Sequence, residues 1–426
     1  MVKSYLNKLK PETLKIVREI GGLSCGLGLR SFVVGGCVRD LILGRDVEDL
    51  DIVVNGDAVS VAKKFASLVQ GKIVVYSQFG TATVMLTDGR VIDFASVRKE
   101  NYPYPGALPV VSPGSLEEDL FRRDFTINAM AISIDPSHFG SLLDYYGGLK
   151  DLKRKFIRVL HKQSFMDDPT RILRAVRFEQ RFQFAIEPET LRLLRQAMKR
   201  GAVTSVKPPR FFEEFKKNLK ESAAPKNIKR LFQLGILKFL DHTVQVTERK
   251  FRLTRQAAVA LLWAKKNLSD WPKLNGWLVF WMVLCDGTSL ANLTKAMEKF
   301  SFTHSDKTKS IDAFSTTDII KEIAVKRLSK GKIFALLRSK SNEELLFLWS
   351  KSLEKLARTR IQRYLLEWRH LTLEIDGDDL KRMGVPSGKM FKNILDQVLY
   401  RVVEGNCRLK SEQLAYARSL YQQSHS

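Results

Sequence analysis

Runs of β-branched and aromatic residues crowd into the first hundred positions of this 426-residue chain and thin out sharply afterwards, which limits the architectures open to it. From Pro11 to Gly22 the apolar spacing predicts a helix. Five strands are predicted after it, over Ser31 to Val34, Asp51 to Val54, Lys72 to Tyr76, Thr81 to Leu86 and Val91 to Val97. Between the second and third of these, DAVSVAKKFASLVQ carries helical spacing and is bounded by glycines. From about Pro169 onward helical spacing takes over. The pattern predicts an α+β domain over roughly residues 20–150 and a mostly helical remainder. One core stops growing at about 250 to 300 residues, so two to four packed units are expected.

Proline and glycine place the interruptions. Lys99 to Asp119 holds four prolines and two glycines with weak periodicity, which predicts a long loop inside the first domain. Further breaks are expected near Ala223 to Pro225 and across Ser301 to Ser315, where Ser, Thr and Asp accumulate. The division expected is 1–150, 151–223, 224–310 and 311–426.

Charge is distributed unevenly. Residues 1–160 hold 21 Lys and Arg against 18 Asp and Glu, so +22 of the net +25 falls on the remaining 266 residues. An excess of one sign over a large region raises the local concentration of a polyanion, whether RNA, DNA or an anionic membrane. The longest apolar run, Trp277 to Cys285, is nine residues, whereas a membrane span needs about 20; a buried helix and no membrane partner are expected. The opening MVKSYLNKLKPETLK has no secretion-signal pattern, so a cytoplasmic location is expected. Cys25, Cys37, Cys285 and Cys407 form no CxxC pair, which points to neither a disulfide framework nor a zinc site.

The strongest chemical signal is Gly35 and Gly36, then twelve residues, then Asp49 and Asp51 at the head of a predicted strand. Side chains at i and i+2 of a strand share a face, so these two carboxylates can hold a pair of divalent cations roughly 3.5 to 4 Å apart. Phosphoryl transfer uses such hard oxygen ligands. The glycine pair follows an apolar strand and precedes a helix start, so its backbone N–H groups can face a triphosphate, with Arg39 adding charge. Asp93 is open to two readings, a third carboxylate near the metals or a residue on an exposed sheet face.

Four segments, GGCVRDLILGRDVEDLDIVV, FRRDFTINAMAI, LDYYGGLKDL and DDPTRILRAVRF, resemble in order and spacing the class II tRNA nucleotidyltransferase and bacterial poly(A) polymerase family of the polymerase-β-like superfamily. The resemblance covers about residues 20–220. It implies a polymerase-β-like head with a mixed sheet and helices, followed by an all-helical neck, body and tail. It implies that Asp49 and Asp51 bind Mg²⁺, that Gly36 and Arg39 contact the nucleotide, and that Arg123, Asp124 and Asn128 shape the sugar and base pocket. In the fourth segment the family usually has Glu-Asp-x-x-Arg, and here Asp167 takes the first position. Asp168 and Arg171 are implied to read the Watson–Crick edges of C or A, with Arg174 and Arg177 on the same helix face. A carboxylate accepts from the exocyclic amino group that C and A share, and a guanidinium donates to the adjacent ring nitrogen.

PPRFFEEFKKNL stands where relatives have a bracing helix, so Arg210 and Glu214 are expected to be structural. DGDDLKRMGVPSGKMFKNIL looks like a C-terminal segment of bacterial members, and with the basic excess it implies a helical surface for the tRNA acceptor arm. The activity implied is addition of CCA to the tRNA 3′ end from CTP and ATP. The alternatives within the family are CC-only addition, A-only addition and poly(A) synthesis. The long segment after Lys99 favours full CCA over CC-only addition, and YSQFGTATVML does not resemble the basic, His-containing segment of poly(A) polymerases. A noncatalytic RNA-binding protein would be marked by loss of a metal carboxylate, and Asp49 and Asp51 are both present. No His-Asp dipeptide occurs, which speaks against an appended phosphohydrolase module.

Overall fold

The computed structural model describes residues 5–47, 49–239, 247–315 and 317–423. The first four residues of the opening segment, on which the cytoplasmic expectation partly rests, lie outside them. Two compact units are present, Met1–Asn218 and Leu219–Ser426.

In the first unit, helix α1 (Pro11–Gly26) precedes strand β1 (Arg30–Val34), helix α2 (Gly36–Leu43), strand β2 (Leu50–Asn55) and helix α3 (Ala58–Leu68). Asp57 caps α3 by accepting from the N–H groups of Val59 and Ser60. Strands β3 (Lys72–Tyr76), β4 (Thr81–Met85) and β5 (Val91–Ser96) follow, then β6 (Arg98–Asn101), β7 (Val110–Pro113), helix α4 (Leu116–Phe121), β8 (Ala131–Ser133) and β9 (Leu142–Leu143). Seven of these strands form one mixed sheet in the order β3-β4-β5-β2-β1-β8-β9, in which β2 and β5 run parallel and the other neighbours antiparallel. All five predicted strands are present, with ends shifted by no more than one residue.

The period of two in each strand divides the sheet into unlike faces. Leu50, Ile52, Val54, Ile92 and Phe94 are buried on one face, where α1 and α3 pack and Phe65 meets Phe94 with ring centroids 5.9 Å apart. The opposite face carries Asp51 and Asp93, Cα partners in the β2–β5 ladder. At its β1–β8 end this face is closed by Leu116 and Leu120 of α4, which join Phe32, Val34, Val53 and Ala131 in a buried cluster. At its β3–β4–β5 end it is open: Val74, Tyr76, Met85 and Val91 are 41%, 49%, 38% and 38% exposed.

The segment Lys99 to Asp119 departs from the expected loop. Strands β6 and β7 pair antiparallel, from Arg98 with Pro113 to Asn101 with Val110, and α4 starts at a Ser115–Glu118 capping box. Its prolines sit between and at the ends of these short elements, where a missing N–H costs nothing in the ladder. The unit continues through helices α5 (Gly148–Arg154), α6 (Ser164–Asp167), α7 (Thr170–Phe182), α8 (Pro188–Lys199) and α9 (Pro208–Lys220). The implied all-helical neck also contains one short parallel ladder, β10 (Phe156–Ile157) with β11 (Ala185–Ile186).

The described residues of the second unit are helical throughout apart from turns. Helices α10 (Ala224–Gln233), α11 (Glu248–Asn267), α12 (Gly276–Cys285), α13 (Leu290–Lys299) and α14 (His304–Ser315) come first. Trp277 to Cys285 is a buried helix, as its uniform apolarity predicts, packed by α11 and the helix Asn342–Lys351. The break expected over Ser301 to Ser315 is instead helix α14. Its Ser/Thr/Asp cluster supplies a start signal, since the Thr303 hydroxyl accepts from Asp306 N–H and donates to the Asp306 carboxylate. Further along, Ile375, Leu380, Val385, Ile394, Val398 and Ala417 form a separate core. Among the described residues no helix is long and apolar enough to cross a membrane.

Candidate active site

The chain turns from β1 into α2 at Gly35, whose φ of +71° suits glycine. A Cβ there would come within 2.7 Å of the Arg123 guanidinium and 3.7 Å of the Asp51 carboxylate. The glycine therefore lets a helix N-terminus, a carboxylate and an arginine approach one another. They border a cavity of about 820 Å³ in the first unit. Nine Lys and Arg and six Asp and Glu side chains line it, a balance that suits a polyphosphate.

Gly35, Gly36, Arg39, Asp51, Arg123, Asp124, Asn128, Asp168, Arg171, Arg174 and Arg177 all line this cavity. Asp49 is exposed and does not line it. Asp51 is held between opposing influences: burial raises its pKa, the Arg123 charge lowers it, and Asp93 and Asp49 raise it again. Asp93 accepts a 2.6 Å hydrogen bond from the Thr83 hydroxyl on the adjacent strand, so its side chain is oriented on the face it shares with Asp51. Among the described residues no cluster of three or more Asp, Glu, His or Cys closes around a single point. Asp51 and Asp93, with Asp49 nearby, are instead an open set of hard oxygen donors whose crowded negative charge fits a divalent cation that also takes ligands from a substrate.

Behind the cavity the polar residues are joined in series. Arg39 is buried over the rings of Phe178 and Phe182, pairs with Asp40, and donates to Asn128 Oδ1 at 2.6 Å. Asn128 donates to Asp124 Oδ1 at 2.9 Å, and Arg174 holds Asp124 Oδ2 at 2.6 Å. Full burial alone would raise the Asp124 pKa; Arg174, Asn128 and the more distant Arg171 outweigh it and lower the pKa to about 2. Glu214 continues the series, 3.8 Å from Arg174 and 3.6 Å from Arg177. Arg123 is oriented by the buried Asp119, which also grips Arg122.

The fourth segment is arranged differently from a simple ion pair one turn apart. Asp168 accepts from the backbone and hydroxyl of Thr170 at the start of α7, and its charge partner is Arg210 at 3.0 Å. Arg171 donates to Ser164 Oγ at 2.6 Å and to the Arg122 carbonyl at 2.7 Å, tying α7 to the RRD segment. Arg210 and Glu214, expected to be structural, line the cavity with Lys217. The signal for them is the i, i+4, i+7 spacing on α9, which places all three on one face.

Three further lining residues are Glu100 and Tyr102, from the segment read as a loop, and its neighbour Arg122. Glu100 accepts from Arg98 and Arg122, and Tyr102 donates to Glu100 at 2.8 Å. Burial, with Glu100 beside it, raises the Tyr102 pKa. Gly106, with φ +74°, donates to the carbonyls of Met166 and Asp167, and its own carbonyl accepts from Arg210. Strands of four residues joined by a proline-rich turn are too short to leave a periodicity, so sequence pattern does not reveal these residues.

A model of the poly(A) polymerase head domain matches residues 31–158, and one described as a probable RNA- and SrmB-binding site of polymerase A matches residues 183–242. The chain is 33% identical over 423 residues to the A-adding tRNA nucleotidyltransferase of Geobacter sulfurreducens, covering 98% of this chain and 48% of that protein. It is 30% identical to the A-adding tRNA nucleotidyltransferase of Halalkalibacterium halodurans, covering 97% of this chain and 94% of that one. The Thermotoga maritima CCA-adding enzyme complexed with tRNA-CCA superposes with a TM-score of 0.78 at 31% identity, over 98% and 97% of the two chains. The chain thus spans about half the length of the Geobacter relative and nearly all of the Halalkalibacterium one. Matching a relative from end to end, and carrying the head-domain signature around its carboxylate-bordered cavity, this chain belongs to the tRNA nucleotidyltransferase and poly(A) polymerase family.

Proposed function

We propose that the protein transfers a nucleotide from ATP to the 3′ end of tRNA, completing the terminal A. The observation that carries the reaction class is the joining of Asp51 and its partner Asp93 to an arginine-rich cavity through the Gly35 turn. The A-only choice is supported by the two relatives above, both named A-adding. A second reading, addition of the whole CCA from CTP and ATP, is supported by the Thermotoga neighbour named as CCA-adding.

In this reading the acceptor 3′ oxygen forms a bond to the α-phosphorus while the bond from that phosphorus to the α,β-bridging oxygen breaks. Pyrophosphate leaves with the electron pair, and the hydroxyl proton passes to solvent. Asp49 and Asp51, joined by Asp93, would hold Mg²⁺, which lowers the pKa of an attacking hydroxyl and offsets charge on the phosphates. Arg123 and the N–H groups at the start of α2 bind the triphosphate. Asp124 and Asn128 read the ribose from an ionised, prearranged network. Asp168, steadied by Arg210, accepts from the adenine amino group, while Arg171 donates to the adjacent ring nitrogen. Arg174 and Arg177 hold the same wall. Residues 1–150 act as the head, 151–223 as the base-reading neck, and the basic body (224–310) and tail (311–426) take the tRNA acceptor arm.

The test is incorporation into three tRNA transcripts, ending at the discriminator base, at C and at CC, with Mg²⁺ and ATP, CTP or both. A single A added only to the CC-ended transcript is expected. Stepwise extension of the shortest transcript to CCA would replace this reading with the second one. No incorporation into any transcript would overturn both.

A further inference from the structure

The Asp51 carboxylate borders two cavities. Besides the arginine-rich one, a second cavity of about 350 Å³ lies over the open part of the sheet and shares Asp51, Arg122 and Arg123 with it. Its remaining wall includes Tyr76 of β3, Thr81 and Thr83 of β4, and Asp93 of β5. The ladder explains why these residues meet: Tyr76 is the Cα partner of Thr81, Thr83 of Asp93, and Asp93 of Asp51. All point from one face. Its lining sets two arginines, Arg122 and Arg123, against two carboxylates, Asp51 and Asp93, so unlike the first cavity it offers no excess of positive charge for a polyphosphate. It offers an exposed aromatic ring and two hydroxyl side chains leading to the carboxylates.

We propose that this open sheet face seats the last nucleotide of the acceptor RNA, with its base or ribose stacked on Tyr76. The inference rests on the nucleotidyl-transfer reading above and deepens it. In-line displacement requires the attacking oxygen to approach from the side opposite the departing pyrophosphate. With the triphosphate in the arginine-rich cavity, the second cavity is the neighbouring one that also borders Asp51 and so lies within reach of the same carboxylate. A neutral nucleoside suits its chemistry, and aromatic stacking accepts any base because every base has a π face. Exposed Val74 and Met85 extend the apolar ledge outward from the carboxylates. Tyr76 is a positioning residue in this assignment, acting on where the 3′ hydroxyl sits.

The experiment compares Tyr76→Ala and Tyr76→Phe with the wild type, using CC-ended tRNA transcript, ATP and Mg²⁺, and varying transcript and ATP separately. Loss of one stacking partner is expected to raise the KM for transcript about 5- to 150-fold, while the KM for ATP stays within about twofold and Phe restores the wild-type value. Because Tyr76 is half exposed, the Ala variant should fold, and its melting temperature serves as the control. An unchanged transcript KM, or an equal rise in both KM values, would overturn the assignment. A wild type that extends no transcript at all overturns the transfer reading itself, and this assignment with it. As a readout independent of turnover, a transcript ending in 4-thiouridine is crosslinked to the wild type by near-ultraviolet light. Adducts within Lys72–Met85 are expected, and adducts found only outside the first unit would refute the seat.

Discussion

Both units bury charged residues, but they connect them in different ways. In the second unit several buried charges are held by local clamps. Asp286 is held by Lys351 at 2.6 Å and Arg249 at 2.8 Å, Glu343 by Lys309 at 3.0 Å, and the Lys250 ammonium donates to the Leu284 carbonyl. In the first unit the buried charges run in series from Asp40 through Arg39, Asn128, Asp124 and Arg174 to Glu214, and one side of that series lines the cavity. A clamp fixes two helices. A series fixes the position of every member against the others, which is what a site acting by prearranged dipoles and charges needs. The cost is that no member can be removed without leaving another buried and uncompensated.

The sharpest break in the comparison is Asp51→Ala. Removing a carboxylate that burial and two neighbouring carboxylates already strain should lower single-turnover incorporation by about 10²- to 10³-fold or more, with no loss of melting temperature. A parallel drop in stability would mean that Asp51 is a structural member after all. Next in size, Asp124→Ala removes the acceptor that Arg174 and Asn128 share, leaving Arg174 only the longer pair with Glu214, and should destabilise the first unit by about 3 to 5 kcal/mol, measured by urea unfolding. Asp286→Ala is the matching cut in the second unit. Because the first unit's groups are coupled, the Asp124→Ala and Asn128→Ala effects should fall short of additivity by about 0.5 to 3 kcal/mol. Additive losses would reduce the series to a row of clamps.

Arg171→Ala tests a member whose guanidinium is shared between the fold and the proposed base pocket. Its preference for ATP over GTP should fall by about tenfold, read as the ratio of the two kcat/KM values; an unchanged ratio would remove Arg171 from base selection. The smallest effect concerns His161, half-buried beside Arg171 and 5.0 Å from the Phe121 ring. Burial and the Arg171 charge lower its pKa from the usual 6.5 to about 4. Between those values the unfolded chain binds a proton that the folded chain refuses, so stability should rise with pH from 4 to 6.5 and level off above. In His161→Phe that part of the slope should vanish, and persistence of the full slope would assign it to other groups.

How much of this was readable beforehand follows from the kind of signal each residue leaves. The sheet was legible because β-branched runs bounded by glycines have few other uses. Eleven residues of the cavity wall were legible because their segments keep fixed spacing. Glu100 and Tyr102 were not, because prolines between and at the end of the strands masked a short hairpin whose two strands are only four residues each. Arg210 and Glu214 stand where the family resemblance implies a bracing helix, and it is the pairing of Arg210 with Asp168 that puts this helix on the cavity wall. Asp93 stood open between two readings, and its pairing with Asp51 across β2 and β5 depends on a parallel register that intervening chain length does not reveal.

Helix α12 has a different consequence, one that concerns synthesis. Its nine consecutive buried side chains are covered in part by Asn342–Lys351, a segment made more than fifty residues later. At roughly 5 to 20 residues per second, translation leaves that apolar run without its cover for several seconds. During that interval the nascent chain presents Trp277, Phe280 and Trp281 to its surroundings. The same packing that makes the second unit firm therefore leaves its longest apolar run incompletely covered while the chain is being made.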